Sequence, residues 1–282
     1  MQTVEGKVVL VTGAAMGMGK MYAERAVAEG AEAVVLWDVD DAALKVTAEA
    51  LQGNATTIHT DRVDVGDRAA VAEAAQRARE AVGDPHIVFN NAGIVRGNAY
   101  FWETKDAAEA ELTMKVNALG PMFVAHEFLP AMVAADDDCR LVNVSSAAGL
   151  TANPRMAAYC GSKWAAVGWS ESVRLELEQA GQDHVKVTTV CPYYVKTGMF
   201  EGATSALLLP LLEPEDVVEK VWHAMKHGDP LVVMPKTAIL SETIKGILPI
   251  RLRDRAAGIL GVHKSMESFT GRPAAKESDT ES

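Results

Sequence analysis

A phenol and a primary amine stand four residues apart in this chain, Tyr159 and Lys163, at the end of the stretch SSAAGLTANPRMAAYCGSK that begins at Ser145. On a helix that spacing projects both side chains from one face, one turn apart. An ammonium so placed favours the phenolate and draws a tyrosine below its ordinary pKa of about 10. Ser146 lies thirteen residues before the tyrosine, just past the apolar run Leu141-Val142-Asn143-Val144, which reads as a strand reaching its carboxyl end. A strand end, a loop and a helix can therefore bring a hydroxyl beside the phenol, and such a set can pass a proton to or from a substrate oxygen. A lysine one turn after a half-buried tyrosine is also what an ordinary helix surface produces. What separates the two readings is the set of elements that would position these groups.

Those elements can be followed along the chain. Lys7 to Thr12 is a β-branched run, Gly13-Ala-Ala-Met-Gly17-Met-Gly19 is a glycine-rich turn, and Met18 to Glu29 has helical period with Gly30 as its stop. Ala33 to Trp37 reads as a second strand closed by Asp38, with Asp40 capping a helix to Leu51. A third strand, Thr56 to Val65, ends near Asp64, and Asp67 starts a helix to Val82. The fourth strand, Pro85 to Asn90, runs into Asn91-Ala92-Gly93. Two helices follow, Lys105 to Leu119 with Asn117 inside it, and Pro121 to Ala135. Strand five is Arg140 to Val144, and the helix carrying Tyr159 spans Arg155 to Ala180. Val185 to Val190 leads into Cys191-Pro192-Tyr193-Tyr194, then come a helix, Glu213 to His227, and an edge strand, Pro230 to Met234. Apolar strands alternating with helices imply one doubly wound α/β domain of Rossmann type, its parallel sheet covered on both faces. Ligands of such sheets sit beyond the carboxyl ends of the strands. Gly13, Asp38, Asp64, Asn91, Ser146 and Pro192 all fall there.

The glycines follow a strand and open a helix, which lets backbone approach a pyrophosphate at a helix N-terminus. Asp38 comes 19 residues after Gly19, where a carboxylate can accept hydrogen bonds from both hydroxyls of an adenine ribose. It would repel a 2′-phosphate, and no Arg or Lys flanks it in Val39-Asp40-Asp41, so NAD is expected over NADP. Asp64 is placed to hold an adenine amino group, and Asn91 and Gly93 permit close backbone approach. Asn117 is disfavoured in a helix interior by propensity.

Composition excludes several classes. Lys and Arg number 27 against 38 Asp and Glu, a net charge of -11, which argues against a nucleic-acid partner. No run approaches the roughly 20 apolar residues needed to span a bilayer, and the N-terminal stretch enters a strand at once rather than reading as a secretory signal. Cys139, Cys160 and Cys191 match no metal-ligand spacing, so no metal is expected; they read as reduced thiols of a cytoplasmic protein.

Jointly, Thr12-Gly13-x-x-x-Gly17-x-Gly19, Asn90-Asn91-Ala92-Gly93, Asn117, Ser146, Tyr159-x-x-x-Lys163 and Pro192 with Thr197 resemble the short-chain dehydrogenase/reductase family over roughly residues 4 to 235. LWDVD at 36–40, CPYYVKTGMFEG at 191–202 and LLEPEDVVEK at 211–220 look like its retinol dehydrogenase and hydroxysteroid dehydrogenase branch. That resemblance implies an NAD-dependent oxidoreductase interconverting a bulky lipophilic alcohol, steroid-, retinoid- or aryl-carbinol-like, and its carbonyl. Tyr159 would be the general acid/base, Ser146 would bond the substrate oxygen, and Lys163 would hold the nicotinamide ribose and lower the tyrosine pKa. Asn117 would hold a water linking Lys163 to solvent, and Tyr193 would join Ser146 and Tyr159 at the substrate. The cofactor would be contacted by Gly13, Gly17, Met18, Gly19, Asp38, Asp64, Val65, Asn91, Ala92, Gly93, Pro192, Val195 and Thr197, with Tyr159 and Lys163. A homodimer or homotetramer is implied as well. Many members of the branch carry an N-terminal membrane anchor, which this sequence does not show. Two other readings stand beside this one: a non-catalytic NAD-binding regulator on the same fold, and an NADP(H)-preferring carbonyl reductase.

Beyond the domain at 1–235, residues 236–264 read as a helical extension and 265–282 as a disordered tail. Leu240, Ile244, Ile247 and Leu248 fall at i, i+4, i+7 and i+8; after Pro249, Leu252, Ala256, Ile259 and Leu260 repeat the spacing. These are two amphipathic helices joined by a proline break. Six basic residues, Lys236, Lys245, Arg251, Arg253, Arg255 and Lys264, face only Glu242 and Asp254 there. The apolar faces could pack on the domain or a neighbouring subunit, form a lid whose other wall is Met199, Phe200 and residues 207–212, or dock on an anionic membrane.

Overall fold

A computed structural model describes residues 1–53, 55–96, 98–104, 106–207, 209–238 and 248–271. Seven strands pair in parallel in the order β3-β2-β1-β4-β5-β6-β7: β1 Val8–Thr12, β2 Ala33–Asp38, β3 Thr57–Arg62, β4 Ile87–Asn90, β5 Cys139–Val144, β6 Val185–Pro192 and β7 Leu231–Met234. This is the doubly wound α/β sheet expected, with its switch point between β1 and β4. Valine-rich β1, β2 and β4 are buried on both faces, as a sheet sandwiched by helices requires.

Helices α1 Gly17–Ala28, α2 Asp41–Leu51 and α7 Pro214–His227 share one apolar core with the sheet. Tyr22, Phe89 and Trp222 stack within it, with ring centroids 4.5 and 5.7 Å apart. Helices α3 Arg68–Val82, α5 Gly120–Ala134 and α6 Ala157–Gln179 form the opposite core, where Val71, Phe128 and Val173 meet β1, β4 and β5. A buried polar chain locks α6 in place: Asn90 Nδ2 donates to Asn143 Oδ1 (2.9 Å), Asn143 Nδ2 to Ser170 Oγ (2.8 Å), and Ser170 Oγ pairs with Thr189 Oγ1 (2.7 Å). These bonds fix the helix that carries Tyr159 against β4, β5 and β6.

Three expectations change. β3 stops at Arg62, and its residues alternate between exposed and half-buried because it is the sheet edge, so Asp64 and Val65 lie in the loop beyond it. The two helices expected across 105–135 are one continuous run: α4 Ala108–Met114 passes through a π-turn, Lys115–Leu119, directly into α5. Gly120 lets this run lie against the loop after β3, since a Cβ there would stand 2.9 Å from Val65 Cγ2. Part of the supposed tail is well packed: Ser265 and Met266 are buried. Of the two expected C-terminal helices, the one through Leu240, Ile244 and Ile247 lies outside the described residues. The second is α8, Ile250–Ile259, followed by a short turn at Val262–Lys264.

Candidate active site

The cleft runs along the carboxyl ends of the strands at the switch point. Its first wall is backbone. Gly13 takes φ of 66°, and a Cβ there would stand 2.9 Å from the Ala92 Cα; at Gly19 it would stand 2.0 Å from the Gly13 carbonyl oxygen. No other residue allows β1 to turn this tightly into α1. Helix α1 starts at Gly17 without a side-chain cap, whereas Asp40 caps α2 through Ala43 N and Asp67 caps α3 through Ala69 N and Ala70 N. The uncapped first turn borders the cleft at Met16, Gly17 and Met18, a place suited to a phosphate.

Asp38 ends β2 at the same wall. Its Oδ2 accepts from Ala15 N and its Oδ1 from Asp40 N, both at 3.0 Å, so the carboxylate is oriented in the cleft while Asp40 does the helix capping. Among sequence neighbours it had no cation, but the sheet supplies one. Arg62 is the register partner of Asp38 on β3, and its Nε donates to Val39 O at 3.1 Å. Asp64 and Val65 also line the cleft, with Asp64 Oδ1 taking Gly66 N at 2.8 Å. Asn91 braces the backbone: its Nδ2 donates to Thr12 O (2.9 Å) and Gly13 O (3.2 Å), while Thr12 Oγ1 accepts from Asn91 N and Ala92 N. The ends of β1 and β4 are thereby stitched together. Ala92, Gly93, Pro192, Val195 and Thr197 complete this part of the wall.

Ser146, Tyr159 and Lys163 meet in the middle of the cleft. Ser146 leaves β5 and caps a short turn, Ala147–Gly149, its Oγ accepting from Ala148 N at 3.1 Å and donating to Pro192 O at 3.4 Å. Lys163 follows Tyr159 by one turn of α6; its Nζ donates to Val144 O at 3.1 Å and lies 5.8 Å from the centroid of the tyrosine ring. Asn117 and Gly19 stand behind the wall. Asn117 occupies the π-turn, where Oδ1 accepts from Ile94 N (2.8 Å) and Nδ2 donates to Ile94 O (2.9 Å) and Ser162 Oγ (3.1 Å). Gly93 lies beside both it and the lysine: a Cβ there would meet Asn117 Oδ1 at 3.3 Å and Lys163 Nζ at 3.4 Å.

The electrostatics differ from expectation. Burial pushes the Tyr159 phenol above its ordinary value, with the Ser146 hydroxyl acting against that rise, and pushes the Lys163 amine down to about 8. The expected lowering of the phenol by the ammonium is absent here, because both groups are desolvated and the amine is turned to a backbone carbonyl. Burial alone therefore favours the neutral phenol, and a cation beside it must act against that cost for the phenolate to form.

The far end of the cleft is apolar. Met156, Tyr159, Cys160, Tyr193, Tyr194 and Met266 form one buried cluster, with Phe200, Leu209 and Phe269 against it. Phe200 meets Tyr159 edge-on, centroids 6.1 Å apart. Tyr193 lines the cleft. A polar clasp, not foreseen from the sequence, ties this end together: Asn153 Nδ2 donates to Tyr194 Oη and to Ser265 Oγ, and Tyr194 Oη pairs with Ser265 Oγ, each at 3.0 Å. Asn98 Nδ2 adds bonds to Met266 O (3.2 Å) and Phe269 O (3.4 Å). The Tyr193-Tyr194 doublet was the only local hint; nothing around Ser265 signals its role.

Fold and site together define an oxidoreductase built on a dinucleotide-binding sheet, and comparison with known proteins agrees. The family model for short chain dehydrogenases matches residues 7–207, and the chain belongs to the short-chain dehydrogenase/reductase family, in its retinol and hydroxysteroid dehydrogenase branch. It is 37% identical to human epidermal retinol dehydrogenase 2 over 271 residues, covering 95% of this chain and 86% of that protein. To human estradiol 17-beta-dehydrogenase 11 it is 35% identical over 250 residues, covering 89% and 82%. A short-chain dehydrogenase/reductase from Burkholderia phymatum, solved in complex with NAD, superposes with a TM-score of 0.79 at 28% identity, covering 88% of this chain and 95% of that one.

Proposed function

We propose that the protein is an NAD(H)-dependent dehydrogenase that interconverts a bulky lipophilic alcohol, of steroid, retinoid or aryl-carbinol type, and its carbonyl. One observation carries this reading: Tyr159, Ser146 and Lys163 converge midway in a cleft with the Asp38 carboxylate at one end and an aromatic cluster at the other. The residues fit a dinucleotide, since the glycine turn and uncapped α1 suit a pyrophosphate and Asp38 suits a ribose. When bound there, a nicotinamide cofactor would supply the acceptor or donor of the hydride. Ser146 Oγ orients the substrate oxygen against the Tyr159 phenol. In oxidation the phenolate takes the hydroxyl proton as the hydride leaves; in reduction the phenol returns it. Lys163 binds the nicotinamide ribose, and its cationic form offsets the cost of a buried phenolate. Asn117 holds a water through which Lys163 exchanges protons with solvent. The aromatic cluster excludes water and selects apolar substrates.

Arg62 beside Asp38 favours a second reading, an NADP(H)-preferring carbonyl reductase, because a guanidinium can pair with a 2′-phosphate. The Asp38 carboxylate lines the cleft and weighs for NAD. NAD- and NADP-linked turnover of steroids, retinoids, aryl carbinols and short alcohols tests both. A wild type that prefers NADP refutes the cofactor assignment, and nucleotide binding without turnover of any of these points to a regulator. Subunit pairing into a dimer or tetramer belongs to the same proposal: Leu112, Leu119, Trp164 and Leu175 are exposed on α4, the π-turn before α5, and α6. A monomer-sized species in light scattering contradicts it.

A further inference from the structure

Helix α8 wears its apolar stripe on the outside. Leu252, Ala256 and Ile259 fall at i, i+4 and i+7 and so share one face. Packing on the domain is one of the three roles the spacing allows this face. Instead Leu252 is 55% and Ile259 79% exposed, while Arg253, Ala257 and Leu260 are the half-buried side. Arg251 and Arg255, both exposed, form the adjoining row. Pro249 ends no packing contact either, since Leu248 and Ile250 beside it are exposed.

The helix sits at the substrate end of the cleft. Leu207 N donates to Leu260 O at 3.0 Å, and the turn after α8 delivers Ser265 into the clasp with Tyr194. A second apolar patch is tied to the same segment through Asn98, which bonds Met266 O. There Phe101 is 62% and Trp102 79% exposed, Tyr100 stacks on Trp102 with centroids 4.9 Å apart, and the Arg155 guanidinium lies 4.7 Å from the Tyr100 ring centroid.

We infer that α8, together with the 100–102 loop, docks the mouth of the cleft on an anionic lipid bilayer, so that a lipophilic substrate passes between bilayer and active site. An interfacial helix needs an apolar face flanked by basic residues, and aromatic side chains settle at the boundary. Charge chooses this occupant. Residues 248–264 carry Arg251, Arg253, Arg255 and Lys264 against Asp254, in a chain of net charge -11. A second copy meeting this face about a two-fold axis would set arginine against arginine. An anionic headgroup layer complements the same arginines.

The passage of substrate rests on the dehydrogenase reading, but docking can be measured without turnover. The full-length protein is sedimented with phosphatidylcholine vesicles with and without phosphatidylserine, at low and high salt. It should bind the phosphatidylserine vesicles, and salt should weaken that binding. Arg251→Glu with Arg255→Glu should cut partitioning at least about tenfold, as should Leu252→Ser with Ile259→Ser. Both double variants should keep wild-type turnover of a short soluble alcohol and wild-type circular dichroism, since these side chains face solvent. Indifference of the wild type to phosphatidylserine overturns the inference. So does a Leu252→Ser, Ile259→Ser variant that changes the mass in light scattering yet still binds vesicles, for the stripe would then be a contact between copies. A protein that binds vesicles but turns over no alcohol refutes the dehydrogenase reading and leaves docking standing.

Discussion

The nucleotide end of the cleft is made by backbone and neighbouring strands, the substrate end by side chains that reach across the chain. At the first, glycines, an uncapped helix and a carboxylate held by Ala15 N and Asp40 N do the work, and side chains reach across only between Thr12 and Asn91-Ala92 at the ends of adjacent strands. At the second, Asn153, Tyr194 and Ser265 join three separate segments, and Asn98 bonds Phe269 across 171 positions. Backbone geometry tolerates little substitution, whereas a side-chain wall can be rebuilt for another substrate while the dinucleotide end stays as it is.

The two ends should therefore be separable by mutation, and Tyr159 at their junction gives the largest effect. Tyr159→Phe keeps the ring and loses the proton-transferring oxygen; turnover should fall about 10²–10⁴-fold with nucleotide affinity unchanged. A variant retaining a third of wild-type rate removes Tyr159 from its role. Lys163→Met tests the cost of the junction. Burial lowers the folded-state pKa of this lysine from 10.5 to about 8, so below pH 8 the native state holds a desolvated ammonium that the unfolded chain hydrates freely. As pH rises from 8 to 10.5 the native amine is already neutral while the unfolded one is still charged, and that burden is relieved. Lys163→Met should be inactive yet more stable at pH 7, by as much as about 3 kcal/mol, and the advantage should shrink toward pH 10. A variant less stable than wild type at pH 7 contradicts this.

Ser265→Ala strips the hydroxyl that Asn153 and Tyr194 share, at a cost of about 1–3 kcal/mol for leaving buried polar groups unpaired. KM for a bulky alcohol should rise several-fold, with nucleotide affinity and turnover of a short alcohol unaltered. Equal losses for large and small substrates would make the clasp a general stability element. Asp38→Ser is the mirror experiment. With Arg62 already beside the site, the single change should improve NADP use relative to NAD by about tenfold, and Asp38→Ser with Val39→Arg should improve it further. Neither should alter the ratio of bulky to short substrates, as steady-state kinetics with each nucleotide would show.

What the sequence made legible follows the same division. Gly13, Gly19, Asp38 and the Tyr159–Lys163 pair declare themselves through local spacing, and the alternation of apolar strands with helices was enough for the parallel sheet. Arg62 escaped notice because its nearness to Asp38 depends on β2–β3 register, which spacing along the chain does not reveal. The π-turn at Asn117 leaves a helical hydrophobic pattern almost unchanged, so two α-helices were expected where one interrupted run exists. Lowering of the tyrosine pKa was inferred from charge alone, and burial outweighed it. Helical period correctly placed α8 yet could not say which way its stripe faces, since an outward face looks the same in sequence as an inward one.

The clasp also bears on how the enzyme comes into being. A ribosome releases the N-terminal strands first, and domains begin to fold as they emerge. The lining of the dinucleotide end is complete at Thr197 and the core behind α1 at α7, whereas the substrate wall waits for Ser265 and Met266. A nascent chain can thus have its dinucleotide wall in place while the apolar end of the cleft is still open on one side, until the segment with Ser265 and Met266 arrives.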